Sequence, residues 1–225
     1  MSKNFTPKTI EYLREIAINN SKDWFEQNRE NYEQDLRAPL LNLAENLGDF
    51  MLTIDSGFEI SPKKIVSRIW RDTRFSRDKS PLKTNFWTTF KKPRKNWVDA
   101  PAFFFEISAD FYRFGMGFYR AAPKTMAAFR NLIDEFPHEF SAATTFFEQQ
   151  KIFKLAGEKY KRVFDSNKSE KLQNWFQRKN FYLVAQNPID KKFFAKNLTN
   201  EIISSFEILR DFYKFLTKLK KNPAN

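Results

Sequence analysis

Residues 103–119 read F-F-F-E-I-S-A-D-F-Y-R-F-G-M-G-F-Y, and this stretch decides the fold. Residues 103–109 and 112–119 are two runs rich in aromatic side chains, with a turn signal near Asp110 between them. In the second run the aromatic residues and Met116 occupy alternate positions, so they share one face of a strand. Because the two runs follow each other so closely, they predict an antiparallel hairpin.

Two glycines, Gly115 and Gly117, occupy the other face of the second run and leave it without side chains. One explanation is that a helix or an aromatic ring packs onto this bare face. The alternative is that a ligand or another stretch of backbone approaches it closely. The sequence does not decide between them.

The chain around this hairpin falls into three parts. Residues 1–54 are predicted to be helical, residues 60–120 to be rich in strands, and residues 121–225 to be helical with one late strand. A further strand is predicted at residues 85–90, and the late strand at residues 181–184. Strands grouped in sequence favour an α+β fold, with an antiparallel sheet of about four to five strands and helices before and after it. Residues 1–225 are predicted to form a single domain.

Several residues mark where helices are expected to begin. Thr6-Pro7 is a good start for the first helix, and Ser21 for the second. Pro39 kinks or restarts the helix that follows. Asp190 is predicted to cap a long final helix, in which Phe194, Leu198 and later apolar residues recur every three or four positions.

Composition excludes several kinds of site. The chain has no cysteine and a single histidine, His138, so thiol chemistry and a metal site with two histidines are excluded, and no metal site is predicted. The N-terminal residues lack the apolar run of a signal peptide, and no run is long enough to span a membrane. We therefore expect a cytoplasmic protein without a membrane partner.

The formal net charge is +12, and much of it is concentrated in residues 61–98, which hold twelve basic and two acidic residues. Such a stretch attracts polyanions or phosphorylated ligands. The alternative for Lys91, Lys92, Arg94 and Lys95 is that they are solvated loop charges that keep the protein soluble.

At the centre of this basic stretch, residues 68–83 read R-I-W-R-D-T-R-F-S-R-D-K-S-P-L-K. Residues 65–71 alternate like a strand that runs into a loop closed by Pro81. Arg68 lies between apolar neighbours, and we expect it to point into a polar cleft rather than into bulk water.

Three explanations of this motif compete. Arginine binds phosphate or carboxylate with two hydrogen bonds, and lysine adds a point charge, so the motif could recognise an anion. A carboxylate among cations, Asp72 or Asp78, could instead be a base or a Mg²⁺ ligand in phosphoester chemistry. Finally, both aspartates could pair with arginines and hold a long loop in place without any chemistry.

The same stretch resembles the signature of an uncharacterised, mainly bacterial family, domain of unknown function 2461. Members look like R-x-x-R-D-T-R-F-S-x-D-K-x-P-Y-K, which is matched here from Arg68 to Lys83 except that Leu82 stands in place of the tyrosine. An early N-N-x-x-x-W-F element, beginning at Asn19, and the glycine-bearing hairpin are also similar. The resemblance covers most of the chain and implies one domain of this length, but it implies no activity.

The leading hypothesis is that the protein binds a phosphorylated or otherwise anionic ligand. The predicted ligand-binding residues are Arg68, Arg71, Asp72, Arg74, Ser76, Asp78, Lys79 and Lys83. A nucleic-acid-binding module, with Trp87 and Trp97 as stacking residues, is the first alternative. The others are a metal-assisted phosphoester hydrolase or transferase and a purely structural motif. The sequence identifies no catalytic residues, cofactor or oligomeric state.

Overall fold

The structure, a computed structural model, describes residues 4–93, 97–161 and 163–220. It has an α+β fold with one five-stranded antiparallel sheet in the order β1-β2-β3-β5-β4, which confirms the predicted fold class. The strands are β1 (Phe86–Phe90), β2 (Pro101–Ile107), β3 (Phe111–Phe118), β4 (Lys154–Ala156) and β5 (Tyr182–Pro188).

Helices lie before and after the strands in sequence, as predicted. The first group is α1 (Pro7–Ile18), α2 (Lys22–Gln27), α3 (Arg29–Asn31), a π-helical segment (Tyr32–Arg37), α4 (Ala38–Ile54) and the single turn α5 (Pro62–Ile65). The second group is α6 (Pro123–Glu135), α7 (Pro137–Thr144), α8 (Phe146–Gln149), α9 (Glu170–Phe176), α10 (Leu198–Ile208) and α11 (Arg210–Thr217). Short 3₁₀ turns lie at Trp97–Asp99 and Lys218–Lys220.

The predicted hairpin is confirmed as β2 and β3. Its turn is closed by Ser108, whose backbone N–H donates to the carbonyl oxygen of Phe111 at 2.9 Å. The apolar face predicted on the second run is buried. The strands at β1 and β5 are also confirmed, whereas β4, only three residues long, was not predicted and pairs antiparallel with β5.

The bare face of β3 receives another stretch of backbone. A Cβ atom added to Gly115 would lie 1.9 Å from the carbonyl oxygen of Leu183, and one added to Gly117 would lie 2.4 Å from the Cα of Tyr182. No side chain fits in that space, because real Cβ atoms do not approach other atoms so closely. Of the two explanations that the sequence left open for these glycines, the close approach of another stretch of backbone is correct.

The predicted helix starts are confirmed at the N-terminal end. Thr6 and Thr9 form a reciprocal capping box at the start of α1, and the Ser21 hydroxyl accepts from the backbone N–H of Trp24 at 3.2 Å. Pro39 lies in the first turn of α4, directly after the π-helical segment. The capping box satisfies donors that a helix start otherwise leaves without partners.

The predicted start of the final helix is wrong. Asp190 opens a series of turns instead, in which its carboxylate accepts from the backbone N–H of Lys192 at 2.8 Å. The helix begins at Leu198, and the long helix is in fact two, α10 and α11, on either side of Leu209.

The chain divides into two compact units. The first comprises Met1–Phe90, Phe104–Phe114 and Gln186–Ile203, and the second Lys91–Phe103, Gly115–Ala185 and Ser204–Asn225. Whether residues 1–225 act as a single domain stays a prediction.

Aromatic rings fill the interior of each unit. In the first unit, Phe193 lies 4.9 Å from Phe5 and 5.0 Å from Tyr112, measured between ring centroids. In the second, Trp175 lies 5.2 Å from Phe212 and 5.4 Å from Phe181. Within the described residues, no helix has the length and apolar character needed to cross a bilayer.

Candidate functional site

Residues 68–83, which we call the arm, fold back on themselves within the first unit. Trp70 and Leu82 form an isolated antiparallel bridge. The N–H of Arg71 donates to the carbonyl oxygen of Pro81 at 2.8 Å, and that of Lys83 to Ile69 at 2.9 Å. The two ends of the arm are therefore joined like a hairpin, and residues 72–80 form its tip.

The predicted strand at residues 65–71 is wrong. Residues 62–65 form a helical turn that begins at Pro62, and Val66 and Trp70 make only isolated bridges. Alternation nevertheless persists in the burial, because Ile65 and Ile69 are buried whereas Arg68 and Trp70 are exposed. Arg68 lies at the surface and not in the cleft that we expected.

The base of the arm is attached to the helical region by one side chain. The amide of Asn20 donates to the carbonyl oxygen of Leu82 at 3.0 Å and accepts from the N–H of Leu82 at 2.9 Å. Below it, Trp70 meets Phe25 edge to face at 5.2 Å. Asn20 thus satisfies both backbone groups of a fully buried residue, as a neighbouring strand would.

Arg71 and Asp78 form an ion pair that joins the two sides of the arm. The Arg71 guanidinium also lies 3.5 Å from the Ser76 hydroxyl, to which it donates. Asp78 accepts further bonds from the N–H and the hydroxyl of Ser80, at 2.9 and 2.6 Å. These hydrogen bonds, with Ser80 first and Arg71 second, hold the pKa of the Asp78 carboxyl well below its usual range.

A second pair lies at the tip. The Arg74 guanidinium grips the Asp72 carboxylate with two bonds, at 2.9 and 2.7 Å, and the Arg74 N–H adds a third. These bonds lower the pKa of Asp72 to about 2. Both aspartates are therefore ionised at neutral pH and engaged by arginine, which makes them poor general acids. The two pairs are the contacts that the structural explanation of the motif requires.

The two lysines bond to backbone. Lys79 donates to the carbonyl oxygen of Thr73 at 2.9 Å, across the tip, and its side chain remains exposed. Lys83 is half-buried and donates to the carbonyl oxygens of Arg68 and Trp70. Burial is the main reason that the pKa of Lys83 is lowered, with repulsion from Arg68 a smaller cause.

The structure thus brings together all eight predicted ligand-binding residues on the arm, but in two groups. Arg71, Asp72, Arg74, Ser76, Asp78 and Lys83 bond to one another or to the backbone of the arm. Arg68 and Lys79 remain exposed cations, although Lys79 also donates to the carbonyl oxygen of Thr73, and Arg77, which was not among the predicted residues, is a third. Among the described residues, no carboxylate forms an ion pair with any of these three.

An exposed aromatic ring also lies at the tip. Phe75 is 95% exposed, with the Arg74 guanidinium 5.8 Å from its ring centroid. Because Asp72 fixes Arg74, the position of the guanidinium beside the ring is also fixed. At the base, Trp70 is 40% exposed.

Sequence reasoning missed Asn20, Phe75 and Arg77 as parts of this site. For Phe75 a signal was present, since it stands alone among polar residues with no apolar partner at strand or helix spacing. For Arg77 no signal in the sequence marked an exposed cation without a carboxylate partner. Asp78 is its neighbour in sequence, and yet Asp78 pairs with Arg71.

The tryptophans predicted to stack on nucleic acid are both half-buried. Trp87 has the Lys83 ammonium 5.0 Å from its ring centroid. Trp97 has the Lys91 ammonium at 3.5 Å and Tyr119 at 5.7 Å. Arg94 and Lys95, part of the same basic stretch, lie outside the described residues.

The metal-assisted alternative requires several side chains that could together ligate a metal ion. Over residues 4–93, 97–161 and 163–220, no three or more histidine, cysteine, aspartate or glutamate side chains are grouped so that they could hold a metal ion. His138 is exposed on α7.

The chain matches a known protein family. The family model described as a conserved hypothetical protein, DUF2461, matches residues 8–215. No curated protein matches the chain. Since the family match spans well over half of the 225 residues, the chain belongs to the DUF2461 family of conserved hypothetical proteins, as its sequence predicted.

Proposed function

We propose that the protein binds an anionic ligand through the exposed cations of the arm. The observation that carries this proposal is that each of the two carboxylates of the arm is paired with one arginine, while Arg68, Arg77 and Lys79 stay exposed. An exposed cation without a carboxylate partner is available to an external phosphate or carboxylate.

The ion pairs support the proposal because they hold the arm in shape. A binding surface that is already ordered loses less conformational entropy when a ligand arrives. Arg71, Asp72, Arg74 and Asp78 are then positioning residues, and Arg68, Arg77 and Lys79 are the ligand contacts. Of the eight predicted ligand-binding residues, this assignment keeps Arg68 and Lys79 as ligand contacts, and it adds Arg77.

The test is a double variant, Arg77→Gln with Lys79→Gln, examined against inorganic polyphosphate, nucleoside triphosphates and sugar phosphates. We expect wild-type protein to bind at least one of these anions, measured by thermal shift and by calorimetric titration. The double variant should bind at least about tenfold more weakly, since each charge-assisted bond contributes roughly 1.5–3 kcal/mol. Its melting temperature without ligand should stay unchanged, because both side chains are exposed.

The matched control removes two exposed cations from α1, Lys8→Gln with Arg14→Gln, in the same unit. This change lowers the net charge equally, so it measures the general electrostatic contribution. Equal loss of binding in both double variants would refute the assignment to the arm. Absence of binding to every anion by wild-type protein would refute the proposal itself.

A further inference from the structure

We infer that the anionic ligand is a single strand of nucleic acid, whose bases stack on Phe75 while its phosphates meet Arg77 and Lys79. This inference rests on the proposed function and adds the class of ligand. Anion binding alone does not explain the exposed aromatic ring at the tip of the arm, Phe75.

The shape of the arm favours an extended ligand. Sites for small anions are usually concave and bury most of the ligand. None of residues 71–80 is buried, so no pocket closes around the cations at the tip. A strand of nucleic acid needs no pocket, because it lies along a surface and makes one contact after another.

The Phe75 ring is placed for stacking. It is 95% exposed, and the Arg74 guanidinium lies 5.8 Å from the ring centroid. Arg74 in turn is fixed by Asp72. The tip therefore presents a flat aromatic face beside a positioned guanidinium, and every base has a complementary flat face.

Two of the exposed cations, Arg77 and Lys79, lie close to Phe75 in sequence. Arg77 follows Phe75 by two residues, and Lys79 reaches across the tip to the carbonyl oxygen of Thr73, two residues before Phe75. Lys79 is thus anchored on the N-terminal side of Phe75 and Arg77 follows on its C-terminal side, so the phosphates on either side of a base stacked on Phe75 would each have a cation within the same short tip. Single strands satisfy this arrangement and duplexes do not, because duplex bases are already stacked.

A lipid surface could also receive an exposed phenylalanine among cations. The tip argues against it, because Phe75 is its only large apolar residue and Asp72 and Asp78 lie close by in sequence. Stable attachment to a membrane takes more buried apolar surface than one ring supplies.

The experiment is fluorescence anisotropy with labelled 12-nucleotide oligothymidine and oligouridine, with inorganic polyphosphate as competitor. The variants are Phe75→Leu, which removes the flat ring, and Phe75→Trp, which keeps one. Tyr119→Leu is the control, since Tyr119 is 66% exposed and outside the arm. Because Phe75 has so little packing, we expect none of these arm variants to alter folding.

We expect Phe75→Leu to weaken oligonucleotide binding by about 5- to 150-fold, the range for loss of one stacked base. Phe75→Trp and Tyr119→Leu should bind as wild type does. Inorganic polyphosphate, which has no bases, should bind wild type and Phe75→Leu equally. A duplex of the same length should bind more weakly than either single strand.

The outcomes separate the two proposals. If oligonucleotide and polyphosphate both bind and Phe75→Leu changes neither, the inference is overturned and the proposed function stands. If no anion binds, both are overturned. If vesicles containing phosphatidylserine bind, depend on Phe75 and outcompete the oligonucleotides, the ring serves a membrane and the inference is overturned.

Discussion

Asn20 hydrogen-bonds both backbone groups of Leu82, a residue 62 positions later in the chain. The bonds are 3.0 and 2.9 Å long, and Leu82 itself is fully buried. One amide side chain therefore fixes where the arm leaves the body of the first unit. The effect of this contact on the arm is open to direct measurement.

Replacing Asn20 by alanine should lower the free energy of unfolding by about 1–3 kcal/mol, because two buried backbone groups lose their partner. The amide of Leu82 should also exchange its hydrogen faster. Asn19→Ala is the matched control, since Asn19 is exposed and its amide bonds only within α1, to Glu15. Unchanged exchange at Leu82 in the Asn20 variant would show that the contact does not hold the arm.

Acid should loosen the tip of the arm. The pKa of Asp72 is lowered from 3.8 to about 2 by its bonds with Arg74, and that of Asp78 is also lowered. A carboxyl group whose pKa is lower in the folded protein than in the unfolded chain stabilises the fold at pH values above its unfolded pKa. This contribution is lost as the pH falls through its folded pKa. We therefore expect the tip to lose order between about pH 4 and pH 2. The titration is measured by the carbon chemical shifts of both carboxyl groups.

The variant Arg74→Gln separates the two aspartates. It should return the pKa of Asp72 towards its ordinary value and leave that of Asp78 unmoved, because Asp78 pairs with Arg71 and Ser80. A wild-type Asp72 that titrates near 3.8 would mean that the pair at the tip does not form in solution.

The fold was predictable where local patterns are strong. The hairpin of β2 and β3 has alternating apolar residues and a short turn, both of which are local properties. The start of the final helix was not predictable, since the apolar spacing at Phe194 and Leu198 fits a series of turns as well as a helix. Asp190 does make the bond expected of an N-cap, from the Lys192 N–H to its carboxylate, yet the residues that follow form turns until α10 begins at Leu198.

The concentration of charge on the arm was predictable from the sequence, but the pairing of its residues was not. Density of charge marked the arm, yet four arginines and two aspartates allow many pairings. Arg71 pairs with Asp78 because the bridge of Trp70 with Leu82 brings the two sides together. Asn20 bonds to Leu82 in that register, and no local pattern relates residues so far apart.

The face of β3 that carries Gly115 and Gly117 should not accept a side chain without a loss of stability. Gly115→Ala would place a Cβ 1.9 Å from the Leu183 carbonyl oxygen, so β3 and β5 would have to separate. We expect the free energy of unfolding to fall by more than about 3 kcal/mol, measured by chemical denaturation.

Gly48→Ala is the control for that substitution. Gly48 lies within α4, where an added Cβ would make an ordinary contact with Ile60 at 3.7 Å. Alanine in a helix is favoured over glycine by about 0.5–1 kcal/mol, so this variant should be slightly more stable. A Gly115→Ala variant as stable as wild type would mean that β5 does not approach β3 so closely.

Arg178 holds together two elements of the second unit through carbonyl groups. It is 7% exposed, and its guanidinium donates to Leu155 of β4 at 3.1 Å and to Gly157 at 2.7 Å. It also donates to the backbone and side-chain oxygens of Asn174 in α9, at 3.3 and 3.1 Å. Burial lowers the pKa of Arg178.

Replacing Arg178 by lysine should therefore cost about 2–4 kcal/mol of unfolding free energy although the charge is kept. A single ammonium cannot reach carbonyl groups on β4 and α9 together, whereas the guanidinium fork does, and each carbonyl left without a partner is penalised. The same substitution at Arg29, an exposed residue paired with Glu26 at 2.7 Å, should cost less than about 0.5 kcal/mol. Equal costs at the two positions, in denaturant titrations, would mean that Arg178 contributes its charge alone and not the geometry of its hydrogen bonds.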